Sequence, residues 1–457
     1  MVIKKELKEE ELKHRGRRVS IREGITTSAQ NSIGDQFISP FAIAVGSSNS
    51  MISMMSSVSG LLGPLSQIYG AKLYKKTSRK KVMMRMFFLR SLLWPVLILL
   101  AFLFYKDILT GAIPLAILVF FSVYMIIANL SYPAWFSWMG DLVDDKFRGR
   151  WFAKRNMLIG LTSVIFSLAA SFFLDYFKKN KWTMFGFMIL FACAFVLRII
   201  SRRILKHQYE PKKLKPKTKE QKLSLWEFLK NSPQNNFGRF VLFRGALGFA
   251  CSISSPLVAV YLLRNLGLSY VNYIIVIVAG TIGALFFVEL FGRVADRCGN
   301  YRVLYFTGIV ITIIPLLWIL SDNILYLILI PSLIEGIVWA GFNLSSENFI
   351  YDNVVNGRRG ISYSYYHVVH GVGIFLGAGF GALLIKIFED NLIYPLIAVF
   401  LVGTLFRIIA MILFIPKIKE VKKVDGRFKQ IIIKEIKPTI KEEFHEIASI
   451  NKYLRAK

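Results

Sequence analysis

Two carboxylates stand where apolar sequence surrounds them. Asp35 and Glu335 each lie roughly eleven residues inside a long apolar run, near mid-bilayer if that run spans a membrane. An ionisable group at that depth is costly and is a functional candidate by default. A carboxylate in a partly dry cavity can load and release a proton near neutral pH, which would permit coupling to a proton gradient. The plainer role is a carboxyl bonded to nearby backbone, Ser or Asn groups that fixes packing. His367 and His370, at i and i+3 on one helical face, titrate in the same useful range. A proton relay and a structural pair are equally open for them. A metal site would need a third ligand that the spacing does not show, so no metal and no cofactor are expected. Arg244, about two turns into its run, could hold an anionic substrate or a carboxylate such as Asp35, or snorkel to the interface; snorkelling is the favoured reading. Asn31 and Gln36 flank Asp35 and could contact a solute. Tyr124, Asn129, Trp135, Trp339 and Asn343 could shape a pocket for a small organic molecule, whereas Trp138, near a run's end, reads as an interfacial anchor.

A second constellation occurs twice. Asp141, Arg148-Gly149 and Gly160 recur as Asp352, Arg359-Gly360 and Gly371 at a constant offset of 211 residues. Asp141, Asp144 and Asp145 could instead converge on Mg²⁺ in a polytopic membrane enzyme. The second copy keeps only Asp352, so a gating loop explains both copies and a metal site explains one.

The elements that must position these groups are long apolar runs. They fall at about 25–46, 50–73, 83–105, 110–134, 152–174, 183–203, 238–263, 270–291, 301–320, 324–347, 361–386 and 391–415, each near the length that crosses hydrocarbon. An apolar share of 54% says little alone, since soluble domains average about 45–50%; the arrangement decides. Twelve helices in two similar halves are the architecture of an alternating-access transporter. The expected organisation is a basic N-terminus (1–22), a six-helix bundle (23–204), a Lys/Pro/Gln-rich linker (205–236), a second six-helix bundle (237–415) and a basic tail (416–457). In the linker, Leu223, Trp226, Phe228 and Leu229 suit either a short helix lying on the membrane surface or a plain flexible connection.

The net charge of +30 would suit nucleic acid in a soluble protein, but its distribution argues otherwise. Lys and Arg crowd into 4–22, 72–81, 146–155, 202–222, 293–302 and 416–457, leaving Lys106, Lys178, Lys179, Lys181, Arg264 and Lys386 at the opposite ends. That bias places both termini and the linker in the cytoplasm, where the excess can attract anionic lipid. Cys193 and Cys251 fall in spans and Cys298 in a loop, with no CxxC spacing, so no disulfide framework is expected. The charged first 22 residues lack the apolar core of a cleavable signal. Spans 1 and 2 are rich in Ser, Thr, Asn and Gln and should line a wet interior. Spans 3, 6, 9 and 12 read as apolar nearly all round and should face lipid. Pro40 and Pro256 occupy similar Ser-Pro positions in spans 1 and 7, where each frees a carbonyl and permits a bend.

The loop after span 8 reads Gly292-Arg293-Val-Ala-Asp296-Arg297-Cys-Gly299-Asn-Tyr-Arg302. It resembles the signature loop of the major facilitator superfamily, over a membrane region of about 25–415. The resemblance implies an all-α membrane fold: twelve transmembrane helices in two pseudo-symmetric six-helix bundles, with helices 1, 4, 7 and 10 lining the centre. It also implies that Asp296 faces the start of helix 5. Here that start is Arg148-Gly149-Arg150, which suggests a cytoplasmic latch to Arg148 or Arg150. In the first copy of the loop Tyr74 stands where the Asp belongs, so the mirror latch near Gly360 is in doubt. The Gly-Pro pair of drug antiporters, the mid-span-4 Arg, and the sugar-porter and peptide-symporter sequences are all missing. The resulting expectation is a monomeric secondary transporter in the cell membrane. It would move a small molecule by rocker-switch alternating access with protons as coupling ion, independently of nucleic acid. A lipid flippase on the same fold is the nearest alternative, ahead of a membrane enzyme or a receptor.

Overall fold

The computed structural model describes residues 2–143, 148–211, 224–354 and 359–422, and these contain helices and turns but no strand. In hydrocarbon every backbone N–H and C=O must bond within its own segment, which a helix achieves. The first span is α1 (Val2–Ile33) and α2 (Ile38–Ala44); α3 (Asn49–Lys76), α4 (Arg79–Tyr105), α5 (Ile113–Leu142), α6 (Arg148–Lys179) and α7 (Thr183–Lys206) follow. The linker holds α8 (Leu225–Asn231). The seventh span is α9 (Asn236–Ser254) and α10 (Val258–Val260), running on into a π turn at Tyr261–Asn265. Next come α11 (Tyr270–Cys298) and α12 (Asn300–Ile319). The tenth span is α13 (Ile324–Leu327), a π turn at Ile328–Ser332, and α14 (Leu333–Asn353). Helices α15 (Arg359–Asn391) and α16 (Pro395–Phe414) complete the set. Starts are fixed by side-chain caps: Ser78 accepts from the Lys81 amide at 3.0 Å, and Asn235 from that of Gly238 at 2.6 Å. Ten of these stretches are long and apolar enough to cross a membrane. The other two, α1–α2 and α3, are the polar spans.

Three spans are broken, and the functional candidates sit at two of the breaks. Helix α1 ends at Gly34, where a side chain would collide with Trp94 and Ala194; the chain then makes a tight turn at Asp35–Phe37 before α2, with Pro40 in the first turn of that helix. Pro256 lies in a similar turn at Ser255–Leu257. Glu335 follows the π turn that holds Pro331. Interruptions of this kind recur at functional sites.

The chain forms two compact units. The first comprises Met1–Lys217, Pro256–Ile274 and Ile374–Leu396; the second comprises Thr218–Ser255, Ile275–Gly373 and Ile397–Lys457. Residues 256–274 of span 7 and 374–396 of span 11 are thus part of the first unit. In that unit Ser50, Ser53 and Ser57 of α3 donate to the carbonyls of Ala382, Ala378 and Phe375 on α15 at 2.9, 2.9 and 2.7 Å. Small hydroxyl residues let two helices approach this closely. Arg264 donates to Asn49 and, at 2.7 Å, to the Ser47 carbonyl. Asp175 of α6 accepts from the amides of Tyr270 and Val271 at 2.8 and 2.9 Å, a carboxylate on the first turn of α11. Asp175→Ala should cost this contact about 1 kcal/mol, so hydrogen exchange at those two amides should rise roughly fivefold. Unchanged exchange would show that the packing rests on the serines and Arg264 instead.

Within this first unit α4 packs on α5 and α7, α1 on α6 and α7, and α3 on α5. Phe41, Phe187, Phe191 and Trp94 form an aromatic cluster beside the break in span 1. In the second unit α12 packs on α14, and Gly336 is tight: a side chain there would run into the Gly280 carbonyl. In the linker, Ser224 and Glu227 cap α8 reciprocally. Phe228 is buried against Phe237 and Tyr365. Trp226 points away, 76% exposed, so the two do not share one apolar face. Leu223 and Tyr74's side chain lie outside the described residues.

Spans 3, 6 and 12 are not apolar all round. Each carries an arginine deep in its run, Arg90, Arg198 and Arg407; the last two are buried and the side chain of Arg90 is 11% exposed. The apolar faces reach outward while this one polar side turns inward, where a cation can be hydrogen-bonded. Cys298 is the last residue of α11 and is buried, not a loop residue.

Candidate functional site

Four residues of α1 and its break, Glu23, Thr27, Asn31 and Asp35, are spaced by four and so share one helical face. Each meets a partner from another helix of the first unit. Glu23 pairs with Arg155 at 3.9 Å and accepts from Thr27 at 2.6 Å and Ser201 at 3.1 Å. Arg198 donates to Asn31 at 3.2 Å and Thr27 at 3.5 Å, with its guanidinium over the Phe87 ring. Asp35 pairs with Arg90 at 3.2 Å, accepts from Gln30 at 2.9 Å, and accepts the Tyr124 hydroxyl. Arg90 also donates to Tyr124 and lies 4.5 Å from its ring centre.

A second face of the same helix makes a zipper with α6. Ser28 donates to the Ile159 carbonyl, Ser32 bonds Ser163, and Gln36 accepts from Ser167. Gln36 is therefore spent on helix packing. Asn31 serves Arg198, and Asp35 is neutralised by Arg90. The Asp35 carboxylate is the counter-charge of the largely buried Arg90 guanidinium.

In the second unit Glu335, Trp339 and Asn343 share one face of α14. Glu335 accepts from the Trp318 indole at 3.2 Å, and Trp339's indole also bonds it. It forms no ion pair among the described residues; Arg407 acts on it electrostatically. Arg407 is itself bonded by the carbonyls of Ile311 and Cys251 and by the Ser254 hydroxyl. Arg244 is 6% exposed and does not snorkel. Its Nε donates to Tyr366 at 2.9 Å and its Nη2 to Asn343 at 3.3 Å, while Trp339 and Phe342 flank it. The polar partners lie inside the unit, and that is why the side chain turns inward. His367 packs on Tyr363 and Tyr366, and His370 against Tyr366 and Gly248. Among the described residues no group of three His, Cys, Asp or Glu could hold a metal.

The repeated aspartates make matching contacts, each inside its own unit. Asp141 accepts from Arg79, the first residue of α4. Asp352 accepts at 2.7 Å from Asn300, the first residue of α12. Arg79 is fully buried and also bonds Ser137, Glu210 and the Pro211 carbonyl. Trp138 is fully buried and donates to the Tyr209 carbonyl at 2.9 Å, so it is no interfacial anchor. Trp135 faces Arg155, and Asn129 accepts from Gln67. Asp296 is exposed and pairs with Lys422 at 3.0 Å. The side chains of Arg148, Arg150 and Arg359, and residues Asp144 and Asp145, lie outside the described residues. Arg297 and Arg302 flank Cys298 at the corner between α11 and α12. Gly292 is not a tight approach: a side chain there would meet only Leu344 at an ordinary 3.7 Å.

The model of the Major Facilitator Superfamily matches residues 25–288 and 240–454. No curated protein matches the chain. Solved transporter structures share its fold, among them the following three. The nucleoside transporter NupG is 14% identical with a TM-score of 0.66, over 89% of this chain and 98% of that one. A bacterial homologue of the iron transporter ferroportin, inward-facing, is 16% identical with a TM-score of 0.60, over 87% and 98%. A bacterial homologue of the human lysosomal transporter Spinster, inward-facing and unoccupied, is 13% identical with a TM-score of 0.60, over 90% and 99%.

Proposed function

Because the chain belongs to the major facilitator superfamily, we propose a secondary transporter that moves a small solute across the cell membrane by alternating access and couples that movement to protons through Glu335. Both termini would face the cytoplasm, the side on which Lys and Arg accumulate. The observation that carries the coupling is the contrast between the two membrane carboxylates. Asp35 is locked by a guanidinium, an amide and a phenol. Glu335 is half-buried and accepts from indole N–H groups, with no cation in direct contact among the described residues. The donors are neutral, so a proton on Glu335 breaks no ion pair, and Arg407, which acts on it without direct contact, keeps its own carbonyl and hydroxyl partners. The neighbouring π turn supplies a place where the helix can flex.

A thermal-shift ligand screen of the purified protein at two pH values tests this. Ligands that stabilise the protein should do so to different extents at the two values, and Glu335→Gln should abolish the difference. Hits whose shifts ignore pH would remove the coupling from Glu335.

A further inference from the structure

We propose that Arg244 is the centre of an anion-binding site between α9, α14 and α15, and that the transported solute is a small organic anion with a flat apolar body. This rests on the transporter reading above and names its substrate class. The guanidinium is more than nine-tenths buried, yet its Nη1 has no hydrogen-bond partner and no carboxylate pairs with it among the described residues. Its two other contacts, Tyr366 and Asn343, are neutral. A buried cation without a counter-charge is unfavourable, and a carboxylate or phosphate group would supply that charge with bidentate geometry.

The surroundings define the rest of the ligand. Trp339 and Phe342 present rings to the guanidinium at 5.4 and 5.1 Å, forming an apolar wall beside the charge. Asn343 is exposed and Trp339 half-exposed, so the site opens along this face of α14. Glu335 lies two turns away on the same face, about 12 Å along the axis. A proton on Glu335 would then travel with an anion at Arg244, and the pair would cross with no net charge.

Titration calorimetry of the purified full-length protein in detergent provides the test, with benzoate, phenyl phosphate and the uncharged benzamide as ligands. Benzoate and phenyl phosphate should bind at least about tenfold tighter than benzamide. Arg244→Gln should erase that preference, and Arg244→Lys, which keeps the charge but loses the planar fork, should retain part of it. Equal binding of benzoate and benzamide, no binding of either anion, or an unchanged preference in Arg244→Gln would overturn the site. The first two outcomes need no variant, so they decide even if Arg244→Gln does not fold. The titration uses no gradient, so a protein that is not proton-coupled would still show the preference, and the two readings fail separately.

Discussion

Arg90→Ala lowers the stability of the folded chain by about 3–5 kcal/mol, and combining Arg90→Met with Asp35→Asn restores most of the loss. The single change leaves the Asp35 carboxylate with the Gln30 amide and the Tyr124 hydroxyl but no cation. It also opens a space over the Tyr124 ring, where the guanidinium now sits. The double change removes both charges and refills that space with an apolar side chain. Asn in place of Asp35 still accepts from Tyr124. Thermal and denaturant unfolding in detergent, followed by tryptophan fluorescence, gives the comparison. A double variant as unstable as Arg90→Ala would mean that neither the stranded charge nor the lost packing sets the cost, and that the arginine is held for its hydrogen bonds to Asp35 and Tyr124. The same pair of variants bears on coupling: if Asp35 is a structural ion-pair partner, the pH dependence of ligand binding survives in the double variant.

Much of the fold is legible in the chain. Apolar runs of spanning length, the offset of 211 residues and the loop at Gly292–Arg302 lead to the family without any coordinates. The depth of Asp35 and Glu335 is legible for the same reason, since a lone charge in an apolar run stands out. What escapes is pairing across helices. Arg90, Arg198 and Arg407 sit in runs whose average hydropathy hides one charged face each. Glu23 stands just after a stretch crowded with Arg and Lys and before the first apolar run, where nothing singles it out, yet it is buried against Arg155. The spacing of four through Glu23, Thr27, Asn31 and Asp35 was the available signal, because it puts all four on one face. No periodicity announces that α7 would answer Asn31 with Arg198, a contact spanning 167 residues of sequence. The carboxylate of Asp175 escapes likewise, since its partners are backbone amides.

The repeated aspartates lead to the last expected result: Arg79→Ala costs about 3–5 kcal/mol, whereas Asn300→Ala at the matching place in the second half costs about 1 kcal/mol. Both residues open the third helix of their half, and both bond the aspartate that closes the fourth. The duplicated geometry is the same, but the partners differ in charge. Arg79 is fully buried and joins two carboxylates, Asp141 and Glu210, with carbonyls of Ser137 and Pro211. Removing it strands Asp141, leaves Glu210 with the backbone amide of residue 79, and loosens the segment after α7, which Trp138 and Lys80 still hold through single bonds to Tyr209 and Gln208. Asn300 offers Asp352 one neutral donor, and Asp352 is exposed, so water can replace the lost bond. Arg79→Lys should recover little, because one ammonium cannot serve so many separated acceptors. Limited proteolysis supplies a local readout, with faster cutting between 207 and 211 in Arg79→Ala and no change there in Asn300→Ala. Equal costs for the two variants would mean that the helix corners, and not the arginine's charge, carry the stability of each half.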